Sequence, residues 1–311
     1  MEHTGITQRP PAYAELLVDS LDRYNAGVGA VNNQTSSSDW QTRLNQIVLN
    51  GYFTRLAVTQ IHLYWSLPTI IANYNDLFRV TVLGPGAGQY LITVPQGYYT
   101  PTTLAAALQA ALQAAAPAAN FTCAFQGPLP AGVAPLTGTA AGFVFGVGAG
   151  TTFTFSTPPG FNITSANRFT RFCQTIGLVI GRAQANYYLT SPPLMYATPF
   201  IDICSSTLTK YQRVKDTTTL NSPTVSNVIA RVYPTAPNTN RYLTDVTTPN
   251  ESPFWICIDY NTPKHIKWDP NEPLSNFDLQ LRDAFGDILP YDLTNSQYGV
   301  EYQLTILATE S

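Results

Sequence analysis

The last third of the chain shows the clearest alternation of apolar and polar positions. From Phe277 to Arg282, every second residue is Phe or Leu, and the residues between them are Asp, Gln and Arg. From Glu301 to Ile306, Tyr, Leu and Ile alternate with Glu, Gln and Thr in the same way. A period of two is typical of β-strands with one buried face. Both stretches are therefore predicted to be strands of a half-buried sheet.

Similar strand patterns recur on both sides of the middle of the chain. They are rich in β-branched and aromatic residues, and loops rich in Gly, Pro, Asn and Thr separate them. The predicted strands lie at 13–19, within 49–66, and at 78–83, 89–94, 199–205, 226–233 and 254–260. The fold is therefore predicted to be mainly β.

One segment is predicted to be a long helix. Three leucines at a spacing of four residues lie between Pro101 and Ala116, and the remaining positions are mostly Ala and Gln. Thr100 can cap the helix, proline suits its first position, and Pro117 ends it. A stripe of three leucines on one face indicates packing on a small sheet.

That sheet and the helix belong to a predicted inserted domain, residues 96–189. Three short strands and a second helix near Ser165–Gly177 follow the first helix, and no charged residue occurs between Gly97 and Gly160. The remaining segments, 1–95 and 190–311, have the length and strand number of one jelly roll. We therefore predict a single jelly-roll β-sandwich with an inserted small α+β domain.

The sequence shows no pattern for catalysis, for a metal site or for a cofactor. Its three histidines are not at metal-ligand spacing, and its four cysteines are far apart. The glycine-rich stretches 84–88 and 146–150 lead into strands, so they lack the helix N-terminus that binds phosphate in nucleotide loops. We therefore predict a protein that is not an enzyme and binds no cofactor.

Two pairs of carboxylates leave an alternative open. Asp283 and Asp287 flank a turn, and Asp269 and Glu272 share a loop. Such pairs could flank a sugar, as in glycosidases, or hold a calcium ion. Aspartates in turns more often accept hydrogen bonds from backbone N–H groups, and this interpretation is favoured.

Charge is unusually scarce. Asp, Glu, Lys and Arg make up 11% of the residues, whereas about 25% is typical. Neighbours in an assembly could cover such a surface, because the centres of interfaces are depleted in charged residues. A charge-poor lectin or adhesin surface explains the composition nearly as well. The net charge of −3 argues against specific nucleic-acid binding, which depends on Lys and Arg.

Residues of the last third are candidates for a subunit interface. Trp268 opens onto a polar loop, where its large ring could anchor a contact. Asp278 and Arg282 lie on the predicted exposed face of one strand and could pair with each other or with a neighbour. The full candidate set is Trp268, Asp269, Glu272, Asp278, Gln280 and Arg282.

The same third of the chain resembles the C-terminal end of a known protein family. It contains Trp-x-Pro-Asn-Glu-Pro at 268–273, Leu-Arg-Asp-x-x-Gly-Asp-x-Leu at 281–289 and the strand Tyr-Gln-Leu-Thr-Ile-Leu-Ala at 302–308. These motifs are similar to those of penton (minor capsid) proteins of virophages, Polinton-like viruses and related large DNA viruses. The rest of the chain resembles that family in its layout.

The resemblance implies a structural virion protein. Penton proteins of this kind form a homopentamer at the five-fold vertex of an icosahedral capsid, beside the major capsid protein, and an insertion can project outward. We therefore expect residues 96–189 to face outward and to be the part that could contact a host receptor or glycan. The expected location is the virion, after synthesis in the host cytoplasm or nucleus.

Two further expectations concern solubility and an alternative function. The N-terminal residues lack a signal-peptide pattern, and no apolar run is long enough to span a membrane, so a soluble chain is expected. The alternative function is a β-sandwich adhesin or lectin that binds glycan through the insertion or the Trp268 loop.

Overall fold

The structure is a computed structural model, and the described part of the chain comprises most of its length. Described are residues 12–24, 36–43, 49, 53–125, 142–156, 163–180, 185–211, 227–234, 253–292 and 298–310. The turn at 283–287 and the six candidate interface residues fall within these ranges.

The described residues form fifteen strands and two α-helices. The strands are β1 (Tyr13–Asp19), β2 (Asp39–Arg43), β3 (Arg55–Trp65), β4 (Leu77–Leu83), β5 (Gly88–Thr93), β6 (Thr122–Phe125), β7 (Phe143–Gly146), β8 (Thr152–Phe155), β9 (Tyr187–Leu189), β10 (Ile201–Cys204), β11 (Val228–Val232), β12 (Phe254–Asp259), β13 (His265–Lys267), β14 (Asn276–Arg282) and β15 (Val300–Thr309). The helices are α1 (Pro101–Ala115) and α2 (Ile163–Ile176). Short 3-10 helices occupy Ser20–Tyr24 and Pro117–Ala119.

Nine of these strands form a jelly roll, eight of them in two four-stranded paths and β13 as an addition to the first sheet. The first sheet has the order β1-β15-β3-β12, with β13 also paired to β3, and the second has the order β11-β10-β14-β2. Along the chain, β1, β3, β12 and β15 belong to the first sheet, and β2, β10, β11 and β14 belong to the second. This pair of four-stranded sheets with interleaved strands is the jelly-roll connectivity. The predicted fold class is therefore confirmed.

The two sheets enclose one core, as the alternation in β14 and β15 predicted. Phe277, Leu279 and Leu281 are buried in the second sheet, and the alternate residues of β15 from Tyr302 to Ala308 are at most 1% exposed. The indole Nε1 of Trp40, in β2, donates a hydrogen bond of 2.7 Å to the hydroxyl of Tyr302, in β15. Burial raises the pKa of Tyr302, so its hydroxyl stays neutral and satisfies the buried indole.

Strand β15 holds the first sheet together. It pairs antiparallel with β1 from Tyr13↔Thr309 to Asp19↔Gln303 and with β3 from Arg55↔Thr309 to Trp65↔Val300. The register against β3 shifts between Thr305 and Ile306, which marks a β-bulge. The two ends of the jelly-roll chain are thus neighbours in one sheet.

A partly buried ion pair joins the 3-10 helix after β1 to β15. Both terminal nitrogens of Arg23 donate to Glu301, at 2.8 and 2.6 Å, and one also donates to the hydroxyl of Tyr291 at 2.8 Å. The hydroxyl of Ser20 donates to Glu301 and accepts the N–H of Tyr302. The Arg23 side chain is 1% exposed, so its charge depends on Glu301 for compensation.

The other strands and both helices form a second compact unit between β3 and β10. It has two three-stranded sheets, β5-β4-β8 and β6-β7-β9. The second unit comprises Ser66–Pro199 together with the described residues of Pro234–Phe254. The predicted boundaries at 95/96 and 189/190 are therefore corrected, because β4 pairs with β8 and not with a jelly-roll strand. Local alternation identified β4 and β5 as strands, but it could not show which sheet they join.

The core of this second unit is aromatic. The rings of Phe78 and Phe172 stack at 4.7 Å with an interplanar angle of 4°, which fixes α2 on β4. Edge-to-face contacts of Phe153 and Tyr188 with Phe155 continue the cluster. Packing of these rings and of leucines stabilises the unit. This agrees with the lack of Asp, Glu, Lys and Arg in the sequence from 97 to 160.

Helix α1 begins and ends close to where the sequence predicts. The hydroxyl of Thr100 accepts the N–H of Thr103, and the hydroxyl of Thr103 accepts the N–H of Thr100, which is a reciprocal cap. Leu104, Leu108 and Leu112 are fully buried in the unit's core. The predicted helix and its leucine stripe are therefore confirmed.

We predict that Leu108→Ala lowers the free energy of unfolding of the second unit by about 2–5 kcal/mol, because it leaves a cavity under α1. Chemical denaturation followed by circular dichroism measures this. Leu91→Ala is the matched control: Leu91 is 56% exposed on β5, so the same change should cost less than about 0.5 kcal/mol. Equal effects of the two variants would contradict the packing described here.

Candidate functional site

Trp268 lies inside the jelly roll and not on a free surface. Its side chain is 4% exposed. Its backbone N–H donates to the carbonyl of Thr54 at 2.8 Å, and its indole Nε1 donates to the carbonyl of Glu272 at 3.0 Å. The ring of Tyr211 packs edge-on against it at 5.6 Å. The expectation of an exposed Trp268 anchor is corrected: the indole folds the following loop onto the chain's own first sheet.

Asp269 and Glu272 stabilise that same loop. The carboxylate of Asp269 accepts the N–H of Asn271, and its carbonyl accepts the N–H of Glu272, both at 3.0 Å. Glu272 forms an ion pair with Lys210, and about half of the Lys210 side chain is exposed. Exposed pairs of this kind contribute at most about 1 kcal/mol. Both carboxylates therefore have partners within the chain.

Asp278 is bound by the turn that follows β10. Its carboxylate accepts the N–H groups of Ser206 and Thr207 at 3.0 and 2.8 Å, and the hydroxyls of Ser205 and Ser206 at 3.2 and 2.7 Å. Burial by itself raises the pKa of Asp278, but the hydrogen bonds from Thr207 and Ser206 outweigh it and lower the pKa to about 2. Asp278 therefore joins β14 to the β10 turn and does not pair with Arg282.

Gln280 and Arg282 form a chain of hydrogen bonds across the outside of the second sheet. The amide of Gln280 donates to Asp39 at 3.1 Å, and its oxygen accepts two hydrogen bonds from Arg282 at 3.1 and 2.7 Å. Arg282 also donates to the carbonyl of Gly286 at 2.9 Å. The prediction that these residues lie on an outer face is consistent with this geometry. Their role in contacts between subunits stays a prediction.

A further ion pair on this sheet was not recognised from the sequence. Arg231 on β11 donates to both carboxylate oxygens of Asp202 on β10, at 2.6 and 2.8 Å, and its guanidinium lies 4.0 Å from the centre of the Phe200 ring. The hydrogen bond that Arg231 donates to Asp202 is the main reason that the pKa of Arg231 is raised. The two residues are directly opposite in the ladder, and their register could not be inferred from local pattern.

The outer face of the first sheet carries large exposed side chains on its two edge strands, with exposed polar residues such as Gln60, His62 and Gln303 on the strands between them. Three large side chains on it are mostly exposed: Tyr13 by 76%, Leu17 by 66% and Trp255 by 58%. Tyr13 and Leu17 lie on β1, and Trp255, on β12, packs against Tyr64 at 5.1 Å between ring centres. We call this surface the outer apolar face. Trp255 is exposed although it lies in a strand, since only tertiary placement decides which side of a strand is covered.

The turn after β14 explains the other carboxylate pair. The carboxylate of Asp283 is buried and accepts the N–H groups of Phe285 and Asp287 at 2.8 and 3.0 Å. Gly286 occupies the turn with φ of +82°, which favours glycine. Among the described residues, no group of three or more His, Cys, Asp or Glu side chains is placed to hold a metal ion. These hydrogen bonds from backbone N–H groups are the ones expected of an aspartate in a turn.

The cysteines show no sign of activation. All four are free thiols, and Cys123, Cys173 and Cys204 are buried. Burial raises the pKa of Cys173 and of Cys204 to about 12, so these thiols stay protonated. Of the described helices, none combines the length and the apolar character needed to cross a membrane.

Comparisons with known proteins find similar solved structures. No protein-family model and no curated protein matches it. It is similar to the crystal structure of the mavirus penton protein, with a TM-score of 0.49 and 12% identity over 97% of this chain and 100% of that one. It is also similar to a chain of the Sputnik virophage structure determined by cryo-EM, with a TM-score of 0.43 and 13% identity over 96% of this chain and 98% of that one. Similarity at this level does not indicate an activity.

We predict that Asp278→Asn destabilises the jelly roll by about 1–2 kcal/mol at pH 7, because a charged acceptor of four hydrogen bonds is lost. The pKa of Asp278 in the fold, about 2, lies below the value of about 3.9 in an unfolded chain. Its stabilising contribution is therefore complete above about pH 4 and lost as the pH falls through about 2. Urea unfolding between pH 7 and pH 2 measures this.

The control for this prediction is Asp259→Asn, which changes an exposed aspartate on β12. The difference between wild type and Asp278→Asn should shrink towards acid pH, whereas Asp259→Asn should follow the wild type throughout. A constant difference from pH 7 to pH 2 would show that the Asp278 carboxylate is not the stabilising group.

Proposed function

We propose that this chain is a structural virion protein, a penton whose jelly roll forms a ring of five at the vertex of an icosahedral capsid. In this role its partners are four further copies of itself and the surrounding major capsid protein. The unit of residues 66–199 is the outward-facing lobe, the part available to a host receptor or glycan. The protein is located in the virion.

The observation that carries the proposal is the outer apolar face. A chain with 11% charged residues exposes Tyr13, Leu17 and Trp255 on one sheet, while the second sheet directs its charges at partners within the chain. Large aromatic residues are enriched at the centres of interfaces. One face of the sandwich is therefore suited to being covered by another subunit.

The jelly roll suits this role. Two four-stranded sheets in this connectivity are a common architecture of viral capsid domains. The two flanks of a jelly roll differ, so contact between copies is head-to-tail and closes into a ring when the rotation per copy is right. The number five comes from the resemblance of the C-terminal motifs to penton proteins.

A glycan-binding module is the second candidate. Trp255 and Tyr64 form an exposed aromatic pair, and such pairs can stack on sugar rings. The Trp268 loop no longer supports this function, because the indole is buried. A glycan array probed with the purified protein distinguishes the two candidates, since a penton needs no glycan to assemble.

We predict that the purified chain sediments as one species of five times its 34.0 kDa mass, and that Trp255→Ser weakens this assembly. Loss of an interface tryptophan weakens the free energy of association by about 2 kcal/mol or more, which raises the dissociation constant about 30-fold. Sedimentation velocity over a range of concentrations measures both effects.

Ile288→Thr is the matched control for that experiment. Ile288 is 42% exposed but lies in the turn after β14, so its substitution should leave the assembly intact. A wild-type protein that stays monomeric at high concentration would refute the proposed function. Equal losses with both substitutions would refute the assignment of the interface to the outer apolar face.

A further inference from the structure

Strand β1 is one of the two edge strands of the first sheet, and its backbone has free groups that could pair with another strand. An edge strand presents a row of unpaired N–H and C=O groups, and proteins usually protect such a row against pairing with other chains. The jelly roll does so at β11, the edge of its second sheet. There the ammonium of Lys264 donates to the carbonyl of Val228, and the hydroxyl of Tyr260 donates to the carbonyl of Arg231, both at 2.7 Å.

The alternation of hydrogen-bonded pairs between β1 and β15 shows which backbone N–H and C=O groups of β1 point away from β15. The N–H of Glu310 donates to the carbonyl of Ala12 at 3.1 Å, so this pair is hydrogen-bonded. In an antiparallel ladder the bonded pairs alternate, so Ala14, Leu16 and Val18 also bond to β15. The N–H and C=O groups of the intervening residues, Tyr13, Glu15 and Leu17, point to the free edge.

This edge lacks the protection seen at β11. Within the described part of the chain, no side chain binds the outward backbone groups of Tyr13, Glu15 or Leu17, whereas the N–H of Asp19 is bound by Asp22. The side chains of the same three residues are exposed. An unprotected edge of this length, continuous with the outer apolar face, is suited to receiving a further strand.

We propose that the free edge of β1 pairs with residues 1–9 of a second copy of this chain. This inference rests on the proposed self-assembly and identifies the contact that makes it. Each copy offers one edge and supplies one segment, so the contact is head-to-tail and is compatible with closure of a ring.

Three features of the chain favour this occupant. Residues 1–9 lie outside the described residues and are separated from β1 by residues 10–12. When extended they reach about 30 Å, enough to span the roughly 23 Å of β1. Pro10 and Pro11 fix φ near −65°, whereas the tight hairpin turns that would return the segment to its own β1 need positive φ. The segment carries one carboxylate, Glu2, and one guanidinium, Arg9, and Arg9 can pair with the exposed carboxylate of Glu15 on the edge.

Residue-resolved hydrogen exchange tests the pairing without any substitution. The amides of Tyr13, Glu15 and Leu17 should exchange rapidly in dilute monomer and at least about tenfold more slowly in the assembly. The amides of Ala14, Leu16 and Val18 should be protected in both states. Protection of the first set in the monomer would mean that the chain covers its own edge, and would overturn the proposal.

Two variants identify the occupant. Leu17→Pro removes an outward N–H while leaving the β1–β15 ladder intact, and it should raise the dissociation constant of the assembly at least about tenfold relative to Leu17→Thr, which keeps that N–H. Deletion of residues 1–9 should have a similar effect and should abolish the added protection of the wild-type edge amides.

The outcomes separate this inference from the proposed function. An assembly of five whose Tyr13, Glu15 and Leu17 amides stay unprotected would overturn the inference and leave the penton proposal standing. Loss of assembly in Leu17→Pro but not in the deletion variant would overturn residues 1–9 as the occupant. If the wild type does not assemble, both proposals fail. Should Leu17→Pro not fold, the exchange measurement on wild type decides.

Discussion

The pairing of β15 between β1 and β3 is the interaction on which the rest of the structure depends. It places residue 309 opposite residues 13 and 55, so the first sheet cannot form until the C-terminal strand has joined the N-terminal part of the chain. Such non-local pairing must first overcome loop-closure entropy. Once formed, it determines which residues of β1 are buried, which are exposed on the outer apolar face, and which backbone groups remain at the sheet edge.

The two sheets of the sandwich differ in how they use their outer faces. On the second sheet, the carboxylate of Asp278 and the guanidinium groups of Arg231 and Arg282 have partners in the same chain. On the first sheet, large side chains such as Tyr13 and Trp255 remain exposed. Satisfied charges give little reason for a neighbour to bind, whereas exposed aromatic surface gains free energy when it is covered. The asymmetry explains why the proposed contact is assigned to the first sheet.

The sequence predicted elements correctly where the local pattern of apolar and polar residues matches their burial in the tertiary structure. The alternation from 277 to 282 identified β14 and its buried face, and the leucine spacing identified α1 with its cap at Thr100. Local patterns gave wrong predictions where the tertiary structure alone determines which sheet a strand joins or which side chain is buried. Strands β4 and β5 have the same local pattern as sandwich strands but belong to the second unit, because β4 pairs with β8. Trp268 was expected to be exposed but is buried for the same reason, since its environment depends on distant residues such as Thr54.

The central claim is that copies of this jelly roll surround a five-fold axis through their first sheets. Electron cryo-microscopy of virions that contain this chain tests it most directly. The account predicts five copies at each vertex, with the outer apolar face of each covered by a neighbour and Trp255 buried at the contact. Copies found away from the vertices, or a ring in which that face remains exposed to solvent, would contradict it.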